Sequence, residues 1–184
     1  MNSVVSASEE RMKKSVTSLK DTFASIRTGR ASASLFDKIK IDYYGEKSPL
    51  SQVANISVPE ARLIVIQPWD KALIGEIEKA IRSSELSLNP SNDGKVIRIA
   101  IPPLTEQRRK ELVKQAKAQT EQSRVAVRNI RRDCNDELKK LQKDGGLTED
   151  EESAAGEELQ KLTNEYIAKI NLVMDEKEKE IMEV

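Results

Sequence analysis

A chain of 184 residues with 38 % apolar and 34 % charged side chains is long enough for one large domain or two small ones, and reads as a helix-rich soluble protein with limited core. It has no histidine and a single cysteine, Cys134. That composition removes the usual general base, the imidazole of Ser or Cys triads, the commonest metal ligand, any internal disulfide and any cysteine zinc cluster, so no enzyme activity and no cofactor are expected.

The N-terminus runs from Met1 straight into Glu9, Glu10 and Arg11 without an apolar signal core, and no apolar run is long enough to span a bilayer. A cytoplasmic protein with no membrane partner is expected. Met12, Val16, Leu19, Phe23 and Ile26 then step 4, 3, 4, 3, the seam of a helix that packs in a bundle. Thr28-Gly29-Arg30 marks the exit, with Gly29 read as the helix C-cap. Beyond it the period changes. Ile39, Ile41 and Tyr43 alternate with Lys40 and Asp42, Gly45 turns the chain, and Arg62 to Ile66 is a β-rich run ended by Pro68. Lys71 to Ser83 reads as a helix with Ile74, Ile77 and Ile81 on one face. Lys95 to Ile101 alternates again after an Asn92-Asp93-Gly94 turn. Trp69 and the Tyr43-Tyr44 pair are read as core of this strand-rich module in preference to a base-stacking platform.

Pro102-Pro103 forbids a continuous helix or strand on the way back to the bundle. Ala116, Thr120, Ser123, Val127, Ile130, Cys134, Leu138 and Leu141 carry a second seam, in which Cys134 is a small core residue. That helix, near 37 residues, would run to roughly 55 Å. Asp144-Gly145-Gly146 ends it, and lacks the lysine and hydroxyl residue of a phosphate loop. Thr148 to Glu151 reads as a capping box, the carboxylates of Glu149 to Glu152 as a solvated first turn in preference to a metal site. Leu159, Leu162, Tyr166, Ile170, Val173 and Ile181 give the third stripe. The expected fold is therefore α+β with two domains. An elongated antiparallel three-helix bundle (residues 1–30 plus 105–184) carries an inserted small β/α/β domain (31–104). The two crossings, near 29–34 and 101–105, form a hinge at Gly29, Arg30, Ser34, Pro102 and Pro103.

Charge is neutral overall but segregated: Thr105 to Lys143 holds twelve Lys or Arg against six Asp or Glu, and Asp144 to Val184 four against thirteen. Packed helices of opposite sign explain part of this. They explain less well the stripe formed by Arg124, Arg128 and Arg131, about a quarter-turn from Val127, Ile130 and Cys134. Lys110, Lys114 and Lys117 fall near the same stripe, interrupted by Glu121. A charged track over several turns suits a phosphate backbone better than a small ligand. Two readings stand for Arg132, an RNA contact or a salt bridge to Asp136 or Glu137. Asp133 is read as holding the geometry of the neighbouring arginines.

Several blocks carry a resemblance: Arg27-Thr28-Gly29-Arg30-Ala31-Ser32, Tyr43-Tyr44-Gly45, Pro49-Leu50, Asn89-Pro90, Pro102 to Glu106, Val125 to Asp133 and Lys177 to Glu180. Together, in this order over essentially the whole chain, they resemble the ribosome recycling factor family. Ala33 and Ser87 depart from it, standing where a proline and a glycine are usual, as do Cys134 and the Gly145-Gly146 turn. The resemblance implies a bundle and inserted domain set as an L, like the arms of transfer RNA. It also implies a factor that, with elongation factor G and GTP, splits the post-termination ribosome across its A and P sites and frees mRNA and transfer RNA. Arg128 and Arg131 become the principal ribosomal-RNA contacts, with Arg27, Arg30 and Arg109 supporting them and Lys117, Arg124 and Arg132 along the same track. A monomer is expected; a scaffold or chaperone adaptor would instead use the seams for self-association and have no need of the arginines.

Overall fold

The computed structural model describes residues 2–183, which divide into two compact units, 2–23 with 111–179, and 24–110 with 180–183. The first unit is the helical one. Helix α1 (Ser3–Ala24) opens on Asn2, whose side-chain oxygen accepts from the Val4 amide at 2.8 Å. Its buried face is Val5, Ser8, Met12, Val16, Leu19 and Phe23. Ile26 lies beyond the helix, which stops at Ala24.

The long helix α4 (Glu106–Lys143) and its successor α5 (Glu149–Met182) contribute facing seams: Ala116, Thr120, Val127, Ile130, Cys134 and Leu138 from the first, Leu159, Leu162, Tyr166, Ile170 and Met174 from the second, while Ile181 is buried in the part of α5 that belongs to the second unit. Val173 is only half-buried, and Met174 takes the seam position beside it. The joint between the helices is closed at both ends. Gly145, at φ +82°, donates to the Gln142 carbonyl and Gly146 to that of Leu141, satisfying the last carbonyls of α4. Thr148 and Glu151 then exchange hydrogen bonds, Thr148 N to Glu151 Oε2 at 2.8 Å and Glu151 N to Thr148 Oγ1 at 3.2 Å. Contacts between α4 and α5 run in opposite directions along the two helices, Lys117 to Glu178, Thr120 to Met174, Arg124 to Asn171 and Arg131 to Gln160. Helix α1 completes the bundle through Tyr166 Oη to Glu9 at 3.0 Å and Arg11 to Asp133 at 3.2 Å. Cys134 is buried with its thiol against the Val4 carbonyl, and burial pushes that thiol up.

The second unit is built on two antiparallel sheets. Strands β1 (Lys40–Tyr43) and β2 (Glu46–Pro49) form a hairpin, followed by a single turn, α2 (Leu50–Val53). Strands β3 (Ala54–Glu60), β4 (Leu63–Pro68), β5 (Pro90–Asn92) and β6 (Ile97–Ala100) make the larger sheet in the order β3-β4-β6-β5. Its inner face presents Ile64, Ile66, Ile97 and Ile99, fully buried with Ile77 and Ile81 of helix α3 (Ile74–Arg82). The longest strand, β3, is the one the sequence pattern does not show. It is an edge strand carrying Pro59 and a register shift between Ser57 and Glu60, and past Ala54 its side chains are half-buried or exposed, so no apolar alternation marks it.

Two aromatic side chains stand outside the core, contrary to the sequence reading: Tyr44 is 85 % exposed and Trp69 71 %. Tyr44 and Gly45 form the hairpin corner at φ +51° and +83°, where the twist that suits the strands turns the side chain off the sheet. Trp69 follows the end of β4, its amide held by the Val53 carbonyl and its ring outside. Tyr43 alone of the three packs against the core.

Two features yield expected outcomes. Ser87 sits at φ +53°, a left-handed conformation that disfavours a Cβ and that a glycine adopts without that cost. Ser87→Gly should stabilise the chain by about 0.5–1 kcal/mol in urea denaturation, and a loss of stability would show that the Ser87 side chain contributes more than its backbone costs. Asp93 caps the β5–β6 turn, accepting from the amides of Val96 and Lys95 and from Arg98 Nη1 at 2.8 Å, and these bonds hold its carboxyl well below the usual range. A carboxyl whose pKa is lowered on folding stabilises above its unfolded value and loses that contribution as pH falls toward the folded one. The stability gap between the wild type and Asp93→Asn should therefore be widest near pH 7 and shrink toward about pH 2. An identical gap at both ends would exclude the charge as its source.

Candidate nucleic-acid interface

Helix α4 is a single 38-residue element, so side chains three and four apart on it line up without a break. With Val127, Ile130 and Cys134 turned inward, Lys117, Arg124, Arg128 and Arg131 come together along the flank nearest α5. Each is engaged from its own side. Arg124 donates from Nε to Asn171 Oδ1 and from Nη1 to Glu121 Oε2, at 2.8 and 2.7 Å. Arg128 Nη1 reaches Glu121 Oε1 at 3.3 Å. Arg131 Nη1 donates to Gln160 Oε1 at 3.1 Å, and Gln160 in turn donates to Asn164. The Arg131 Nε is buried with no hydrogen-bond partner. Lys117 lies 3.8 Å from Glu178.

The arginines so held are half-buried, with forked donors fixed in direction and still open to an incoming group. Hydrogen bonds from Arg124 and then Arg128 hold the Glu121 carboxyl below its usual range. The amides Gln160, Asn164 and Asn171 are the site residues that sequence reasoning missed. Gln160 and Asn164 are spaced i, i+4 on one face of α5, but nothing in a single sequence sets the register of that face against α4.

Arg132 is exposed and, among the described residues, makes no ion pair, so neither Asp136 nor Glu137 holds it. Asp133 does not brace the arginines of α4. It faces α1 and pairs with Arg11, because residue 133 lies on the opposite flank of the helix from the stripe.

The remaining predicted residues belong to the second unit. Arg27 donates from Nη1 to the Pro102 carbonyl at 3.3 Å, and burial, then the nearby Arg108, lowers its pKa. Arg30 pairs with Glu183 at 2.6 Å. Arg109 is half-buried with an unpartnered Nε. The units divide at 23/24, 110/111 and 179/180, so all five expected hinge residues fall inside the second one. Ala31 N–H donates to the Ala61 carbonyl and Ile101 N–H to that of Arg62, which ties both crossing segments to the β3–β4 turn. Ser34 is part of a short 3-10 turn, Ala33–Phe36. Gly29 is not a helix C-cap, since α1 ends five residues earlier and its backbone is not left-handed.

The family model for ribosome recycling factor matches residues 19–182. The chain belongs to the ribosome recycling factor family. The ribosome-recycling factor of Treponema denticola is 65 % identical over 175 residues, covering 95 % of each chain. That of Bacillus pumilus is 57 % identical over 181 residues, with 98 % of each covered. A solution structure of the ribosome recycling factor superposes with a TM-score of 0.83 at 50 % identity, over 98 % of this chain and 96 % of that one. A further match, with a TM-score of 0.68 at 46 % identity and 97 % of each chain covered, comes from models for the T. thermophilus ribosome recycling factor and the E. coli elongation factor G bound to the E. coli post-termination complex. Among the described residues no helix is long and apolar enough to cross a membrane.

Proposed function

We propose that this chain binds the post-termination ribosome across the A and P sites of the large subunit and, with elongation factor G and GTP, splits it into subunits, releasing mRNA and transfer RNA. The observation that carries this reading is the α4 stripe, Arg124, Arg128 and Arg131 oriented on one rigid helix in a chain of this family. The arginines supply planar donors for phosphate oxygens and faces for unpaired bases; Lys117 and Arg132 extend the track, with Arg27, Arg30 and Arg109 as supporting contacts. The chain's own part is mechanical, and GTP hydrolysis belongs to elongation factor G. Its place of action is that of its target, the bacterial cytoplasm. Because its three seams bury one another within one chain, it works as a monomer. Residues 1–30 with 105–184 grip the ribosome, residues 31–104 receive the push, and Gly29, Arg30, Ser34, Pro102 and Pro103 join them.

Arg131→Ala should keep the helix, since alanine is the better helix former, and weaken ribosome binding by on the order of 1–3 kcal/mol. Equilibrium binding at several salt concentrations, with circular dichroism alongside, measures it. Unchanged affinity at unchanged helicity removes Arg131 from the interface. A second expectation concerns the joint. Replacing Pro102 and Pro103 by glycine frees the backbone there while leaving the carbonyl that Arg27 uses, so ribosome binding should stay near normal and splitting should slow. Light scattering of post-termination ribosomes with elongation factor G and GTP decides it, and wild-type splitting would rule out force transfer through this joint.

A further inference from the structure

Glu121 stands in the middle of the basic face of α4, one turn before Arg124 and two before Arg128. Its two oxygens are divided between them, Oε2 to Arg124 at 2.7 Å and Oε1 to Arg128 at 3.3 Å. One carboxylate thus occupies two of the guanidinium groups that face outward. Nothing in the fold calls for it there. Glu121 is exposed, caps no helix end and reaches neither α1 nor α5, and exposed ion pairs on one helix add little to stability. Arg124 is already oriented across the bundle by Asn171, so it does not depend on Glu121 for its direction.

We propose that Glu121 is an internal competitor for the RNA phosphates, holding Arg124 and Arg128 in the free protein and so setting how tightly and how reversibly α4 grips the ribosome. The proposal rests on the reading of α4 as the RNA-binding face. Carboxylate and phosphate compete for the same planar donors. Binding has to exchange one for the other, and the displaced carboxylate then lies close to the incoming phosphate and repels it. An exposed carboxylate is ionised at physiological pH, and the bonds from Arg124 and Arg128 lower its pKa further, so the competition is always present. A factor that leaves the ribosome after every round is served by such a limit on its grip.

The test is binding of the full chain to post-termination ribosomes over a range of salt, with dissociation rates. Glu121→Gln keeps the size and removes the charge. It should bind about two- to tenfold more tightly at low salt, dissociate more slowly, and show a steeper salt dependence because freed arginines release more counterions. Asp136→Asn makes the same change in net charge on the same helix at an exposed residue with no arginine partner among the described residues, and should change affinity less than twofold. In an Arg124→Ala/Arg128→Ala background the gain from Glu121→Gln should vanish. Unchanged or weaker binding by Glu121→Gln, an equal gain from Asp136→Asn, or a gain that survives without the two arginines would each overturn the proposal. If the double alanine variant itself binds as wild type, the RNA-binding reading of this face fails and the proposal with it. If that variant binds weakly while Glu121→Gln leaves affinity unaltered, the competitor role alone is lost.

Discussion

The apolar seam of α4 is the constraint on which the rest of the molecule depends. Ala116, Thr120, Val127, Ile130, Cys134 and Leu138 must all face inward, because α1 and α5 each have only one apolar stripe to bury and both bury it here. Once that face is fixed, every other side chain on α4 has a fixed bearing. The flank toward α5 receives Lys117, Arg124, Arg128 and Arg131, and the flank toward α1 receives Asp133. The proposed RNA contacts owe their alignment to packing that involves none of them directly. Even Thr120, the polar member of the seam, is made compatible with it locally: its hydroxyl bonds the Ala116 carbonyl and lies against Met174 Sδ.

Electrostatics on that flank is arranged in two grades. Neutral amides of α5 orient Arg124 and Arg131 without cancelling their charge, whereas the Glu121 carboxylate offsets part of the charge of Arg124 and Arg128. The opposite net signs of α4 and α5 meet on this flank only at Lys117 and Glu178 among the described residues, not at the arginines. Of the arginines on it, none is paired with a carboxylate of α5 among the described residues. The acidic residues of α5 begin with its first turn, where they suit the positive end of the helix dipole, and Glu151 closes the capping box.

The second unit follows a different logic, with a conventional buried face and a few exposed features. Its sheet and α3 enclose an isoleucine-rich core, while both chain crossings are hydrogen-bonded to the Ala61-Arg62 turn. The segments that the sequence marks by Gly29 and by Pro102-Pro103 are thus anchored on the side of the inserted strands, and the proposed freedom of the joint is confined to few residues. Tyr44 and Trp69 stand exposed because the positions that carry them, a hairpin corner and a strand end, have no second layer to cover them.

Much of this was legible from residue order alone. Periods of 3.5 to 3.6 located all three long helices, Gly145 and the Thr148–Glu151 box fixed where two of them end and begin, and the arginine spacing located the stripe, because these signals are local and repeat over many turns. The sequence also excluded disulfides and histidine chemistry by composition. Tertiary structure decided what lies across from each residue. Periodicity gives the bearing of a side chain around its own helix axis but not the axial register of one helix against another, so Asn171, Gln160 and Arg11 could not be assigned as partners. Nor could β3 be seen, since an edge strand owes its existence to backbone pairing with β4 more than to an apolar pattern of its own. The same limit explains Trp69: a large aromatic side chain is core only where another element covers it, and coverage is a property of the folded chain.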